Sequence, residues 1–197
     1  MVNLPLPDVK EAAALRQFEY DSNQEQRMQA RIDLIQRSFE SPNIPPGKVV
    51  VAPAGTGYLL ASLYELGYSV VGYEPRHSFK TVHQLLDISA YIEEYIPTDD
   101  VALLAIMDEF PRIERPEKLL MLVRPTIVVI SLPLFDLDEP FELQTSPFFS
   151  PETVPWYFSE RGISDWMSRY QYLLLESIVE SDKVQTMAFV KGQSATP

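Results

Sequence analysis

The chain contains no cysteine. That absence removes disulfides, thiolate metal sites and cysteine nucleophiles together, and it fits a reducing, cytoplasmic setting. Histidine is almost missing too, with only His77 and His83 present. Two histidines without a nearby carboxylate pattern do not make a metal site, so no metal is expected. No apolar run is long enough to cross a membrane, and no charged start leads into the apolar stretch of a secretory leader. No internal repeat, Gly-x-Ser-x-Gly elbow, Walker loop or zinc motif is present. Basic residues are scarce: 16 Lys and Arg stand against 28 Asp and Glu, for a formal net charge of −12. Such a surface repels phosphate backbones at long range and argues against a broad nucleic-acid footprint. A small molecule or a basic protein partner is easier to accommodate, and the acidity also serves solubility.

What is there suits one globular domain. The 197 residues are 46% apolar, enough for a core without disulfides. The first residues, through Pro7, read as a loose lead-in, and Asp8 is placed to cap a helix over Glu11–Leu15. Met28, Ile32, Ile35 and Phe39 recur at helical spacing, and the proline-rich run Ser41–Gly47 stops that helix. Residues 1–46 are therefore expected to form a helical segment packed on the core.

From Lys48 onward strands and helices alternate. Strands are expected at Lys48–Pro53, Ser69–Glu74, Val101–Met107 and Thr126–Leu132, and helices at Tyr58–Leu66, Ser78 to about Tyr95, and Pro116–Val123. This order predicts an α/β fold with a mainly parallel sheet and helices on both faces. Pro133–Pro155 is irregular and apolar, suiting either a lid or a packed surface loop. Ser159 or Ser164 caps a further helix carrying Ile163, Trp166 and Met167. Tyr170–Val179 and Val184–Val190 form an antiparallel pair at one sheet edge, turning through Glu180–Lys183. The α/β domain thus spans 47–192, and 193–197 form a flexible tail.

The informative stretch is Val49 to Pro75, VVVAPAGTGYLLASLYELGYSVVGYEP. A strand enters a Gly-Thr-Gly turn, a helix follows, and a second strand ends in an acid. Glycines allow the backbone to approach a ligand closely. The helix N-terminus offers N–H groups to an anionic end. An acid closing the second strand can accept hydrogen bonds from both hydroxyls of a ribose, and Glu74 lies 17 residues beyond Gly57.

This stretch resembles motifs I and II of the class I S-adenosylmethionine (SAM)-dependent methyltransferases, a Rossmann-like family. Downstream, VALLAIMDEFPRIERP (Val101–Pro116) is similar to the family's fourth strand and following loop. Leu119–Pro133 matches the next helix and strand. Trp156-Tyr157-Phe158-Ser159 resembles a segment of the small-molecule branch, and the terminal strand pair fits the sixth and seventh strands. The resemblance covers Lys48 to Lys191. Motif I is degenerate: Val51 replaces the acid that usually ends the first strand, and Pro53 replaces the first glycine. The usual turn before the fifth strand survives only as Arg124-Pro125-Thr126. The Asn/Asp-Pro-Pro-Tyr/Phe signature of amino-methylating DNA enzymes is missing.

The resemblance implies SAM as cofactor and a small-molecule methyl acceptor. The methionine end would lie near Ala54, Gly55, Thr56, Gly57 and Asp108, and Glu74 would hold the ribose. Tyr73, Pro75 or Met107 would line the adenine, with Asp99 or Asp100 as its acid. Bland alternatives stand beside these roles. Glu74 could be a solvated strand end, Asp108 and Glu109 could cap a helix, His77 and His83 could pack, and Trp156–Phe158 could be a core wedge. A catalytically degenerate relative serving as a binding or assembly subunit is the competing reading, with a protein partner. A dinucleotide-dependent oxidoreductase shares the strand–glycine–acid logic, but the terminal hairpin and the Trp-Tyr-Phe-Ser segment lean away from it.

Overall fold

The computed structural model describes residues 22–40, 44, 47–136, 140–181 and 183–192. The expected lead-in, the helix near residues 8–15 and the tail at 193–197 lie outside the described residues. The first described element is α1 (Ser22–Glu40). Then come β1 (Lys48–Val51), α2 (Tyr58–Glu65), β2 (Val70–Tyr73), α3 (Lys80–Leu85) and β3 (Ile92–Glu93). The second half holds β4 (Val101–Met107), α4 (Pro116–Val123), β5 (Ile127–Pro133), α5 (Pro140–Thr145), α6 (Glu160–Ser168), β6 (Tyr172–Val179) and β7 (Val184–Lys191).

The seven strands form one sheet in the order β3-β2-β1-β4-β5-β7-β6. All pairs from β3 to β5 are parallel, while β7 runs antiparallel to both β5 and β6. The expected α/β architecture, with its C-terminal antiparallel pair, is the one observed.

Alternation along the central strands divides the core in two. Val50, Leu104, Ile106, Val128 and Ile130 face one layer, where Phe110, Leu119, Ile163, Met167 and Phe189 fill the space. Val49, Val51, Leu103, Ala105 and Val129 face the other, against Ile32, Ile35, Leu59, Leu60 and Leu63. A strand buried on both faces reads as a continuous apolar run, which is why β1, β4 and β5 stand out in the sequence. The spacing of Met28, Ile32, Ile35 and Phe39 brings α1 onto this second layer. Ser159 caps α6 by accepting a hydrogen bond from the Gly162 N–H at 3.0 Å.

One of these expectations needs correction. The helix expected over 78–95 is broken into a 3₁₀ turn at His77–Phe79, the six-residue α3, a second 3₁₀ turn at Ser89–Tyr91 and the short β3. Asp87, at φ 55°, ends the helix in the left-handed region, which a short polar side chain tolerates. The buried side is Phe79, His83 and Ile88, while Leu85 is 81% exposed. The irregular 133–155 stretch contains α5 and is partly packed down: Leu134, Phe135 and Val154 are buried, and Leu134 bridges to Phe158.

The sheet closes at one side on β6, whose outer edge carries Leu173, Leu174 and Leu175 at 58%, 42% and 40% exposure. Its pairing with β7 is irregular between Leu174 and Glu176. At the start of β6, the buried Tyr172 hydroxyl donates to the Pro125 carbonyl at 2.7 Å. Burial pushes this phenol's ionisation above its ordinary value. The neutral phenol is thus the form the native state favours. Its contribution is full below about pH 10, the unfolded value, and is lost as pH rises toward the raised native value. Denaturation curves above pH 10 should show stability falling by up to about 1.4 kcal/mol per pH unit from this group. Tyr172→Phe should flatten that slope, and an unchanged slope would deny Tyr172 the role.

Candidate functional site

At the carboxyl end of β1 the chain passes Ala52 and a cis peptide to Pro53, then turns through Ala54–Gly57 into α2. The turn is pinned from several sides. Ala52 N–H donates to Ala105 O, Ala54 N–H to Tyr73 O, and Gly57 N–H to Ala54 O. Gly55 and Gly57 both adopt positive φ, 57° and 85°, but for different reasons. A side chain at Gly55 would meet nothing within 4 Å, so this backbone faces open space. One at Gly57 would lie 2.1 Å from Ile88 Cδ1 and 3.2 Å from His83 Cδ2. The second glycine therefore makes room for packing under the turn. His83, 4% exposed, also shares a 2.8 Å hydrogen bond between Nε2 and Gly55 O. Its place at the turn was not foreseen from sequence, where it looked like an ordinary helical residue.

Glu74 closes β2 directly beside this turn. Its side chain is 1% exposed. Oε2 accepts from Gly55 N–H at 2.7 Å and Arg76 Nη2 at 2.9 Å. Oε1 accepts from Arg76 N–H at 2.9 Å and Arg76 Nε at 2.7 Å. A carboxylate has about four acceptor positions, and all are used. Arg76 also donates to Glu109 at 3.0 Å and lies over the Phe79 ring, 4.8 Å from its centroid. Burial works against the Arg76 charge, but Glu74 and Glu109 outweigh it and raise its pKa. On the β3 side a cavity of about 290 Å³ is lined by Glu74, Arg76, His77, Lys80, Glu93 and Glu94 among others.

The second acid, Asp108, follows β4 at φ 63°. It accepts from Arg31 Nη1 and Nη2 at 3.0 and 2.8 Å and from the Ser131 hydroxyl at 2.9 Å. Arg31 comes from α1 and also donates from Nη2 to Glu180 at 2.8 Å. Glu180 in turn accepts from the buried Thr186 hydroxyl. The Glu180 side chain is 0% exposed. Burial opposes the Arg31 charge, yet the hydrogen bonds and charges of Glu180 and Asp108 raise its pKa. Sequence reading missed this network: it did not single out Arg31 and placed Glu180 in a turn.

Other expected residues fall elsewhere. Tyr73, 2% exposed, belongs to the core and not to a cofactor wall. Asp100 accepts from Lys48 N–H through its carbonyl, at the amino ends of β1 and β4. The pair Asp99–Asp100 is thus on the wrong edge of the sheet for an adenine contact. Glu93 and Glu94, at the end of β3, hold the equivalent place on the carboxyl edge. Pro75 is half-buried beside Glu74, and Met107 packs partly against the core. Phe158 is core, and Trp156 donates from Nε1 to Ile113 O at 3.0 Å. No group of His, Asp and Glu among the described residues could hold a metal ion.

No family model and no curated protein matches the sequence. Solved structures match in shape. The chain of the small RNA methyltransferase HEN1 superposes with a TM-score of 0.57 at 17% identity, over 88% of this chain and 26% of that one. The chain thus spans about a quarter of HEN1. Magnesium protoporphyrin IX methyltransferase (ChlM) from Synechocystis PCC 6803 with bound SAM gives 0.60 at 13% identity, over 93% and 92% of the two chains. A chain from the complex between the Haloferax volcanii Trm112 methyltransferase activator and the putative methyltransferase gives 0.63 at 11%, over 95% and 96%. These likenesses establish the fold as the Rossmann-like fold of class I methyltransferases.

Two expectations follow. Gly57→Ala should destabilise the protein far more than Gly55→Ala, because only the former adds steric overlap to the left-handed backbone, itself worth about 1–2 kcal/mol. Equal shifts in thermal midpoint would count against the packing role. Arg31→Ala should cost about 3–5 kcal/mol by leaving the buried Glu180 carboxylate unpaired, read by urea unfolding. A loss under 1 kcal/mol would mean that water replaces the guanidinium.

Proposed function

We propose that this chain is a SAM-dependent methyltransferase acting on a small-molecule acceptor. The observation that carries this reading is the placement of the Glu74 carboxylate at the end of β2, hydrogen-bonded to the N–H of an open, positive-φ Gly55. A ribose acid and a close-approach backbone are the two halves of a nucleoside site, and here the acid lines the cavity of about 290 Å³. The fold, shared with a methyltransferase solved with bound SAM, supports the same reading.

The residues fit the cofactor once Arg76 releases Glu74. Glu74 would then take the ribose hydroxyls, the backbone of Ala54, Gly55, Thr56 and Gly57 the methionine end together with Asp108, and Pro75 the adenine flank. SAM supplies a methyl group activated by a sulfonium. The chain contributes position and a negative rim. Glu74, Glu93, Glu94, Asp108 and Glu109 favour a cationic ligand electrostatically, and alignment with exclusion of water provides much of the rate in methyl transfer. The same rim and the net charge of −12 favour a neutral or cationic acceptor over a polyanion.

Arg76 is the competitor for Glu74. Its fork already reaches Glu109, so a turn toward that residue frees acceptor positions without stranding the cation. Calorimetry with S-adenosylhomocysteine tests the reading. Glu74→Ala should weaken binding at least tenfold, since hydrogen bonds to a charged acceptor are worth about 1.5–3 kcal/mol. Arg76→Ala should tighten it. Absence of binding at millimolar ligand in both wild type and Arg76→Ala would abandon the cofactor and leave the non-catalytic binding subunit. That alternative rests on Val51, Pro53 and the occupied Glu74.

A further inference from the structure

A second cavity, of about 450 Å³, lies at the other edge of the sheet. Its walls are Leu120, Met121, Arg124, Arg169, Tyr170, Gln171, Tyr172 and Lys191. These come from three places distant in sequence: the end of α4, the segment joining α6 to β6, and the end of β7. The register sets them beside the amino end of β5, where Ile127 pairs with Val190 and Tyr172 with Lys191. The candidate cofactor turn is at the carboxyl end. Seven residues of β5 separate the two edges, roughly 20 Å at strand rise.

The charge of this cavity is opposite to that of the chain. Three of its wall residues are basic and none is acidic, in a protein with 28 acids and 16 bases. No ion pair joins Arg124, Arg169 or Lys191 to a carboxylate among the described residues. Arg31, Arg37 and Arg76, by contrast, are each paired. Arg124 spends its Nε on the Met121 carbonyl at 3.0 Å, which leaves its terminal nitrogens for a ligand. The walls are held in place by backbone bonds. Lys191 N–H donates to Thr126 O at 2.8 Å, Gly192 N–H to Gln171 O at 2.6 Å, and Gln171 N–H to Ser168 O at 2.9 Å. Like charges gathered without counter-charge repel one another, and a bound anion relieves that repulsion.

We infer that this cavity is a binding site for a small phosphorylated organic anion of nucleotide size. The three cations match a multiply charged phosphate, for which arginine forks are suited. Leu120, Met121, Tyr170 and Tyr172 offer an apolar flank for the organic part, and the volume falls in the range of small-molecule sites. An extended nucleic acid fits less well, because the chain as a whole carries a formal net charge of −12.

Uridine 5′-triphosphate, which lacks adenine, is the probe. Calorimetry at 50 mM salt should give submillimolar binding to the full chain, weakening at higher salt. The double variant Arg169→Glu, Lys191→Glu should lose at least tenfold in affinity. Arg161→Glu, at a residue whose side chain is 92% exposed outside the cavity, should bind as wild type does. S-adenosylhomocysteine should not displace the probe, so this site stands or falls separately from the cofactor reading. Three results would overturn the inference: no binding at millimolar probe, equal binding by the double variant, or displacement by S-adenosylhomocysteine. A single-stranded oligonucleotide that binds at micromolar levels and is not competed by the triphosphate would also overturn it, in favour of a polymer surface.

Discussion

One guanidinium ties together the parts of the molecule that the candidate site needs. Arg31 projects from α1 and holds Asp108 after β4, Ser131 in β5 and Glu180 after β6. A buried ion pair is a weak source of net stability, because desolvation offsets most of the attraction. Its value here is geometric. Apolar packing alone lets a helix slide along a sheet by small steps, whereas a forked donor with three fixed acceptors defines one position. The orientation of α1 and the left-handed turn at Asp108 are therefore set by the same side chain.

The same device recurs at the neighbouring strand end. Arg76 neutralises Glu74 as Arg31 neutralises Asp108, and Glu109 joins the Arg76 side. Each arginine thus faces two carboxylates, Asp108 and Glu180 for Arg31 and Glu74 and Glu109 for Arg76, so the carboxyl edge of the sheet keeps a negative excess. Under the proposed function, ligand recognition at this edge would be an exchange of partners, with an arginine leaving as a hydroxyl or cation arrives. Such an exchange depends on the difference between two sets of hydrogen bonds, and it discriminates against molecules that cannot replace what the arginine gave.

The parallel sheet was legible because its strands are buried on both faces. Val49–Val51, Val101–Met107 and Ile127–Leu132 form apolar runs bounded by turn residues, and the α4 bounds were readable from Pro116 and the residues that follow. The segment after β2 was not. The residues from Ser78 to about Tyr95 suggested one long helix, but the chain breaks there and buries Phe79, His83 and Ile88. A histidine at a helical position carries no sign that it will hydrogen-bond a turn 28 residues earlier. The strand-end acids Glu74 and Asp108 were identifiable by position. Their arginine partners were not, since Arg31 lies 77 residues from Asp108 and nothing local announces the pairing. Local pattern reports burial; long-range charge pairing is written only in the folded geometry.

Among the described residues, no strand pairs with the outer side of β6. β6 is the sheet's last strand, and three successive leucines line it in partial contact with water. An open strand with apolar side chains is a template on which another extended chain can add. The irregular step between Leu174 and Glu176 interrupts the ladder there, and a bulge of this kind twists a border away from easy continuation. That irregular step and the overall negative charge both work against edge-to-edge pairing of neighbouring molecules, the charge only until salt screens it.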